Sequence, residues 1–272
     1  LINTIGGNGT ASFSDNAIAT NGNVNLPSSI AIDSSRNIYI ADKDNNRIRK
    51  LGIDANVTTL AGQNTAGYID GEGTNAQFRQ PHGIDIDSSN NLYIADYGNN
   101  RIRKLDTNGM VSTLAGTETA SFLDGAAEDA QFNGPNDIAI DEDTNVYITD
   151  QNNHRIRKLN TDGIVSTVAG LGAAGLANGK GDRAAFNQPL GLIVNTDDEL
   201  IITDSGNNMI RRIAATVHST DVINSSEIIS VINTDVTLNT RPVLQWITKL
   251  EWYAKNKGTP SFPEGTDLEL SV

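Results

Sequence analysis

The stretch YIADYGNNRIRKL, Tyr93 to Leu105, recurs as YIADKDNNRIRKL from Tyr39, YITDQNNHRIRKL from Tyr147 and IITDSGNNMIRRI from Ile201. Its aspartates, Asp42, Asp96, Asp150 and Asp204, stand 54 residues apart, and so do Pro27, Pro81, Pro135 and Pro189 upstream of them. A fixed period of this length marks a chain assembled from copies of one supersecondary unit.

Around the second copy, four short β-branched segments near 83–87, 91–95, 101–105 and 111–115 read as strands. The links Asp87 to Asn91 and Asp96 to Asn100 are short and rich in turn-forming residues, which predicts a four-stranded antiparallel meander. Neighbours on a strand point to opposite faces, so Ile84, Ile86, Leu92 and Ile94 share one side while Tyr93 and Ala95 take the other. A lone meander cannot bury two apolar faces. Meanders stacked radially can, and the predicted fold is an all-β propeller of four-stranded antiparallel blades.

The connections between copies repeat as well: AGQNTAGYIDGEGTNAQFRQP over 61–81 and AGTETASFLDGAAEDAQFNGP over 115–135. Asp70-Gly71 and Asp124-Gly125 read as turns, and 76–78 and 130–132 as one helical turn dropping Phe78 and Phe132 between blades. The third connection keeps Phe186 and Pro189 but has Asn178 for the aspartate; the first has Asp15-Asn16 and Val24, with one extra residue between Gly7 and Pro27.

The proline, the Tyr-Ile-Ala-Asp strand end, Asn-Asn-Arg-Ile-Arg-Lys and Val-Ser-Thr-Leu-Ala-Gly resemble NHL repeats, over residues 1–213. The resemblance implies a propeller, commonly of six blades, that binds proteins, sometimes RNA, and in one enzyme branch cleaves modified peptides with metals. Fold transfers across such families; activity does not.

The ends leave two readings open. Ile2 to Gly7 aligns with a fourth strand, and the last copy supplies three strands ending near Ile213. Either Leu1 to Ile5 completes the blade begun at Gly191 and closes a ring of four, or Glu227 to Ile232 supplies that strand within a larger, partial ring. Residues 214–272 lose the repeat and gain Trp246, Trp252, Pro260 and Pro263, marking a non-repeat segment that serves as cap, last strand or start of a further domain.

The 272 residues carry a formal charge of −13, which opposes a sequence-independent hold on nucleic acid or anionic membrane. Partners are expected to be neutral or basic. No cysteine is present, so neither a disulfide framework nor a thiolate metal site is offered. No run reaches the roughly 18 apolar residues of a membrane span. The chain opens at Leu1 inside an apparent strand, and an extracytoplasmic or secreted setting within a larger multidomain protein is expected.

A residue repeated in every copy reads as architecture. Asp42, Asp96, Asp150 and Asp204 are expected to accept backbone N–H groups of the following turn. The segment from Asp42 to Arg47 lacks the glycine and glutamate of a calcium loop. Arg47, Arg101 and Arg155, with Arg49, Arg103, Arg157 and Arg211, are expected to pair with aspartates or carbonyls rather than form a phosphate ring.

Function is sought where the copies disagree. Two such columns are Ser28, His82, Asn136 and Leu190, following the proline, and Lys43, Tyr97, Gln151 and Ser205, following the aspartate. Both are predicted to open on one face around the axis, making Ser28, Lys43, His82, Tyr97, Asn136, Gln151 and Ser205 the candidate site for a protein or small-molecule ligand. His82 and His154 show no metal-ligand spacing, and neither a G-x-S-x-G elbow nor a phosphate loop occurs. The expectation is a binding or scaffolding module with no catalytic residue, metal or cofactor. The alternative is a metal-dependent lyase- or lactonase-like propeller with His82, Asp85 and Asn136 on its axis. A third is a spacer in an adhesion-like protein.

Overall fold

The computed structural model describes residues 1–15 and 18–214. Blade one comprises β1 (Pro27–Ile32), β2 (Ile38–Asp42), β3 (Arg47–Leu51) and β4 (Val57–Gly62). The two-residue β5 (Gly71–Glu72) precedes blade two, which is β6 (Pro81–Ile86), β7 (Leu92–Asp96), β8 (Arg101–Leu105) and β9 (Met110–Ala115). Likewise β10 (Gly125–Ala126) precedes blade three, β11 (Pro135–Ile140), β12 (Val146–Asp150), β13 (Arg155–Leu159) and β14 (Ile164–Ala169). Blade four is β15 (Pro189–Val194), β16 (Leu200–Asp204) and β17 (Met209–Ile213). Each blade is an antiparallel meander in sequence order, and the four follow one another as propeller blades with β1, β6, β11 and β15 packed in series on the inside.

Local chemistry sets each hairpin. The Asp87 carboxylate accepts the N–H of Asn91 at 2.8 Å and the Tyr93 hydroxyl at 3.1 Å, while Asn90 turns the chain at φ 64°, a conformation asparagine tolerates. Asp33 and Asp141 repeat this with Asn37 and Tyr39, and with Asn145 and Tyr147. Blade four keeps the turn with Asn195 but has Ile201 for the tyrosine.

Between blades, one apolar face meets the next. Ala31, Tyr39, Ala41 and Ile48 of blade one pack against Ile84, Leu92 and Ile94 of blade two, with Phe78 fully buried at the seam. Phe132 and Phe186 seal the next two seams. Full burial of such a ring stabilises by roughly 1.5–3 kcal/mol.

Three expectations need correction. The helical turn of the second connection is Gly73–Asn75, and Ala76 beyond it is extended, because the Gln77 N–H bonds back to the Ile69 carbonyl. Asp70-Gly71 is no turn: Gly71 pairs with Val111, so the connection adds a short fifth strand to the outer edge of the blade it precedes, as Gly125 does with Val165. Leu1 to Ile5 form no strand and complete no blade; Leu1 and Ile2 are fully exposed. The inner strands β1 and β15 do not pack together as consecutive inner strands do. The other proposed last strand, Glu227 to Ile232, lies outside the described residues.

The repeated aspartate is architectural, by a different route from a turn cap. Oδ1 of Asp42, Asp96, Asp150 and Asp204 accepts the N–H of Asn25, Arg79, Asn133 and Asn187, each 17 residues upstream. Oδ2 takes the amide of the asparagine three residues on and the guanidinium seven residues on. The turn itself receives no side-chain cap, because both oxygens are already committed.

Candidate functional site

The post-proline residues are the second residues of the inner strands, and the post-aspartate residues open the single 3-10 turn after each second strand. These turns lie at the same end of the blades, which brings most of the two columns together. The Ser28 hydroxyl donates to the carbonyls of Pro81, at 3.1 Å, and His82, at 2.7 Å, bridging blades one and two. The His82 ring stacks on Tyr97 with centroids 4.3 Å apart and 15° between planes. Asn136 reaches from blade three: its Nδ2 lies 3.1 Å from His82 Nδ1 and donates to Gln151 Oε1 at 3.0 Å.

Burial, then the Lys43 ammonium, holds His82 down to about 4. The imidazole is therefore neutral at physiological pH, its Nδ1 free to accept from Asn136. Among the described residues the Tyr97 hydroxyl, Asn136 Oδ1 and Gln151 Nε2 find no protein partner, so the cluster presents one hydroxyl, one acceptor and one amide donor beside a paired aromatic platform. Ser205 and Leu190 occupy the equivalent places in blade four, but no side-chain hydrogen bond joins them to the cluster.

Two carboxylates lie below this cluster on the inner strands. Asp85 Oδ2 accepts the Ile140 N–H and Asp137 Oδ2 the Leu192 N–H, both at 2.9 Å, so each stitches its strand to the next. Burial pushes both carboxyls up, Asp137 to about 6, with Asp85 adding to the shift on Asp137. Gly83 makes room for Asp137, since a Cβ there would stand 2.6 Å from Asp137 Oδ1. Sequence reading passed over Asp137, although its column reads Ser29, Gly83, Asp137 and Gly191 and shows the same disagreement that marked the other two.

The arginines are committed elsewhere. Arg103 reaches Asp96, Asp70 and the carbonyls of Gln77 and Ile69, and Arg49, Arg157 and Arg211 repeat the pattern. Arg47, Arg101 and Arg155 lie over Phe13, Tyr68 and Phe122. Blade four loses both partners, with Met209 and Leu176 in their places. A cavity of about 650 Å3 bordered by Tyr68, Asp70, Arg101 and Glu128 shares no residue with the cluster. Among the described residues no three His, Cys, Asp or Glu side chains form a metal-holding group, and both Asp85 oxygens take backbone N–H groups.

The NHL repeat model matches residues 24–51, 78–105 and 132–159, the corresponding part of blades one to three. Protein SUPPRESSOR OF QUENCHING 1, chloroplastic, of Arabidopsis thaliana is 29% identical over 78% of this chain and 22% of its own length. NHL repeat-containing protein 2 of Bos taurus is 33% identical over 46% of this chain and 19% of its own. The chain thus spans about a fifth of the curated relatives it matches. A structural genomics protein of unknown function from Bacteroides thetaiotaomicron superposes with a TM-score of 0.59 at 27% identity, over 69% of this chain and 47% of that one. A gluconolactonase from Xanthomonas campestris, at 18% identity and a TM-score of 0.51 over 70% of this chain and 58% of its own, shares the fold.

Proposed function

The chain belongs to the NHL-repeat β-propellers, and from that premise we propose that it is a binding module whose ligand surface is the joined cluster of Ser28, His82, Tyr97, Asn136 and Gln151, with the Lys43 charge acting on His82. One observation carries this reading. The side chains that differ between repeats connect across three blades into one stacked and hydrogen-bonded surface, whereas the repeated polar side chains are used up inside the blades. Variable chemistry on an invariant frame is how a repeat scaffold acquires specificity.

The ligand is a protein segment or small molecule, neutral or basic. The surface offers an aromatic pair and uncommitted amide and hydroxyl groups, and the chain's net charge of −13 favours cationic over anionic partners. The gluconolactonase likeness is one of fold alone, and no described cluster favours a metal-dependent reaction.

The test is affinity capture from a source lysate with immobilised wild-type protein and a Tyr97→Ala/Gln151→Ala variant, melting temperatures being matched first. Species retained by the wild type and lost with the double variant support the reading. Equal capture by both would move the binding surface away from this face.

A further inference from the structure

The loop entering each of the first three blades sets a carboxylate against that blade's buried arginine. Asp15, Asp70 and Asp124 accept from Arg49, Arg103 and Arg157 at 2.7, 2.6 and 2.6 Å. Blade four has Asn178 in that place, and its Oδ1 accepts from Arg211 Nη2 at 2.9 Å. A guanidinium can only donate, so the amide oxygen is the atom that faces Arg211 and the Nδ2 group faces away. The same Nη2 takes the Ala177 carbonyl at 2.8 Å and Nη1 holds Asp204 at 2.8 Å, which fixes the cation against that oxygen.

Gly179 follows Asn178. Glycine has no side chain to shield its nitrogen or restrict the backbone, so an asparagine before glycine is the context in which the next backbone nitrogen most readily attacks the side-chain amide. The other such pairs begin at Asn8, Asn21, Asn108 and Asn133. Asn8 Oδ1 accepts the Thr10 N–H and Asn133 Oδ1 the Asn152 amide, both neutral donors. Among the described residues, only the Asn178 carbonyl of these five accepts from a cation. Asn178 is exposed. Its counterparts Asp15, Asp70 and Asp124 keep 44%, 48% and 39% of their side-chain surface open although an outer strand is present in each of their blades, so water reaches this position whatever lies beyond the third strand.

We propose that Asn178 is a self-deamidation site and that Arg211 directs its product to aspartate. The Gly179 nitrogen attacks Asn178 Cγ and a C–N bond forms. The Gly179 amide proton passes to the departing Nδ2 group, the Cγ–Nδ2 bond breaks, and ammonia leaves behind a succinimide ring. Water then opens the ring at one of its two carbonyls. Addition at Cγ breaks the new C–N bond, returns a proton to the Gly179 nitrogen and leaves an aspartyl carboxylate. Addition at the backbone carbonyl carbon instead breaks the original peptide bond to Gly179 and leaves an isoaspartyl link. The Arg211 guanidinium lies on the Cγ oxygen and stabilises the negative charge that develops there in both ring closure and aspartyl opening. The product gives Arg211 the second carboxylate that Arg49, Arg103 and Arg157 already hold.

The experiment is peptide mapping that separates asparaginyl, aspartyl and isoaspartyl forms after incubation at mildly alkaline pH. The samples are folded wild type, wild type held in urea, and Arg211→Met shown to be folded by its melt. Position 178 of the folded wild type is expected to convert with a larger aspartyl share than the same position in urea and than Asn108 in the same sample. Arg211→Met is expected to shift the share back toward isoaspartyl. Asn178→Asp should raise the urea midpoint beside Arg211 and leave it unchanged in the Arg211→Met background. Position 178 staying asparaginyl in the folded chain while the urea sample converts, or an aspartyl share that is the same folded and unfolded, overturns the proposal. So does a share that Arg211→Met leaves unmoved, or an Asn178→Asp variant no more stable than wild type. The comparison of folded with urea-held wild type uses the unaltered chain and decides the matter even where Arg211→Met does not fold.

Discussion

The Asp96 carboxylate and the Arg103 guanidinium meet at 2.8 Å with neither side chain exposed to solvent. Removing one partner strands a buried charge, so Arg103→Met is expected to destabilise by about 3–5 kcal/mol. Arg211→Met should cost less, because the Arg211 side chain is 10% exposed and its second partner is the Asn178 amide rather than a carboxylate. Urea unfolding of the two variants ranks them, and equal losses would show that the pair's burial is not what matters.

The guanidinium of Arg155 lies 3.6 Å from the centre of the Phe122 ring. Blade four manages without either group, having Leu176 and Met209. A double-mutant cycle with Phe122→Leu and Arg155→Met should therefore return a coupling of about 0.5–1 kcal/mol, the double variant losing less than the two singles combined. A coupling near zero would leave the pair as mere proximity.

Gly116 turns the chain at φ 99°, and a Cβ there would stand 2.5 Å from the Asn100 carbonyl oxygen. Gly116→Ala is expected to destabilise by about 1–3 kcal/mol, whereas Gly109→Ala, where open space surrounds the Cβ, should suffer only from its positive φ. Thermal melts of both variants separate crowding from conformation.

His82 is held down to about 4 in the folded chain, against about 6.5 unfolded. Between those values the unfolded state binds the extra proton, so this residue's contribution is complete above pH 6.5 and is lost as pH falls toward 4. Asp137, raised to about 6, works in the opposite sense: the folded state holds the extra proton between about 4 and 6, and stability is relieved as pH falls through that window. His82→Asn should then flatten the acid-side loss by an amount on the order of 1 kcal/mol, solvent screening included. Melting temperatures from pH 7 to 4 decide this, and an unchanged profile would mean that His82 is solvated in the folded state.

Chelation supplies a further check. EDTA is expected to leave the melting temperature of protein purified without chelator unchanged; a fall would redirect attention to a bound metal and to lyase-like chemistry.

The proline and aspartate spacings made the blades legible because each strand's partners lie within its own repeat. The seam phenylalanines were legible for the same reason: Phe78, Phe132 and Phe186 recur in register. The variable columns could be read as disagreements between copies. Their joining through His82, Tyr97, Asn136 and Gln151 depends on turn geometry that no single repeat contains. The partner of Asp96 was misread because a carboxylate followed by Asn and Gly looks like a turn cap, while its bond runs to Arg79, 17 residues upstream. Nor can composition tell Ile30 from Ile84, the same residue type in the same column; only the presence of a preceding blade separates them.

The arginine clamp acts on the loop that enters a blade and on that blade's own second and third strands: Arg103 holds 69–77 to Asp96, and β5 returns to β9 of the same copy. Each 54-residue segment therefore carries its own fastening. Apart from the Asn136–His82 contact of the variable cluster, the polar links described from one segment to the next use a backbone group on at least one side. Such a cassette can be duplicated, deleted or exchanged in a gene without redesigning its neighbours, leaving the exposed columns as the part that each new copy is free to vary.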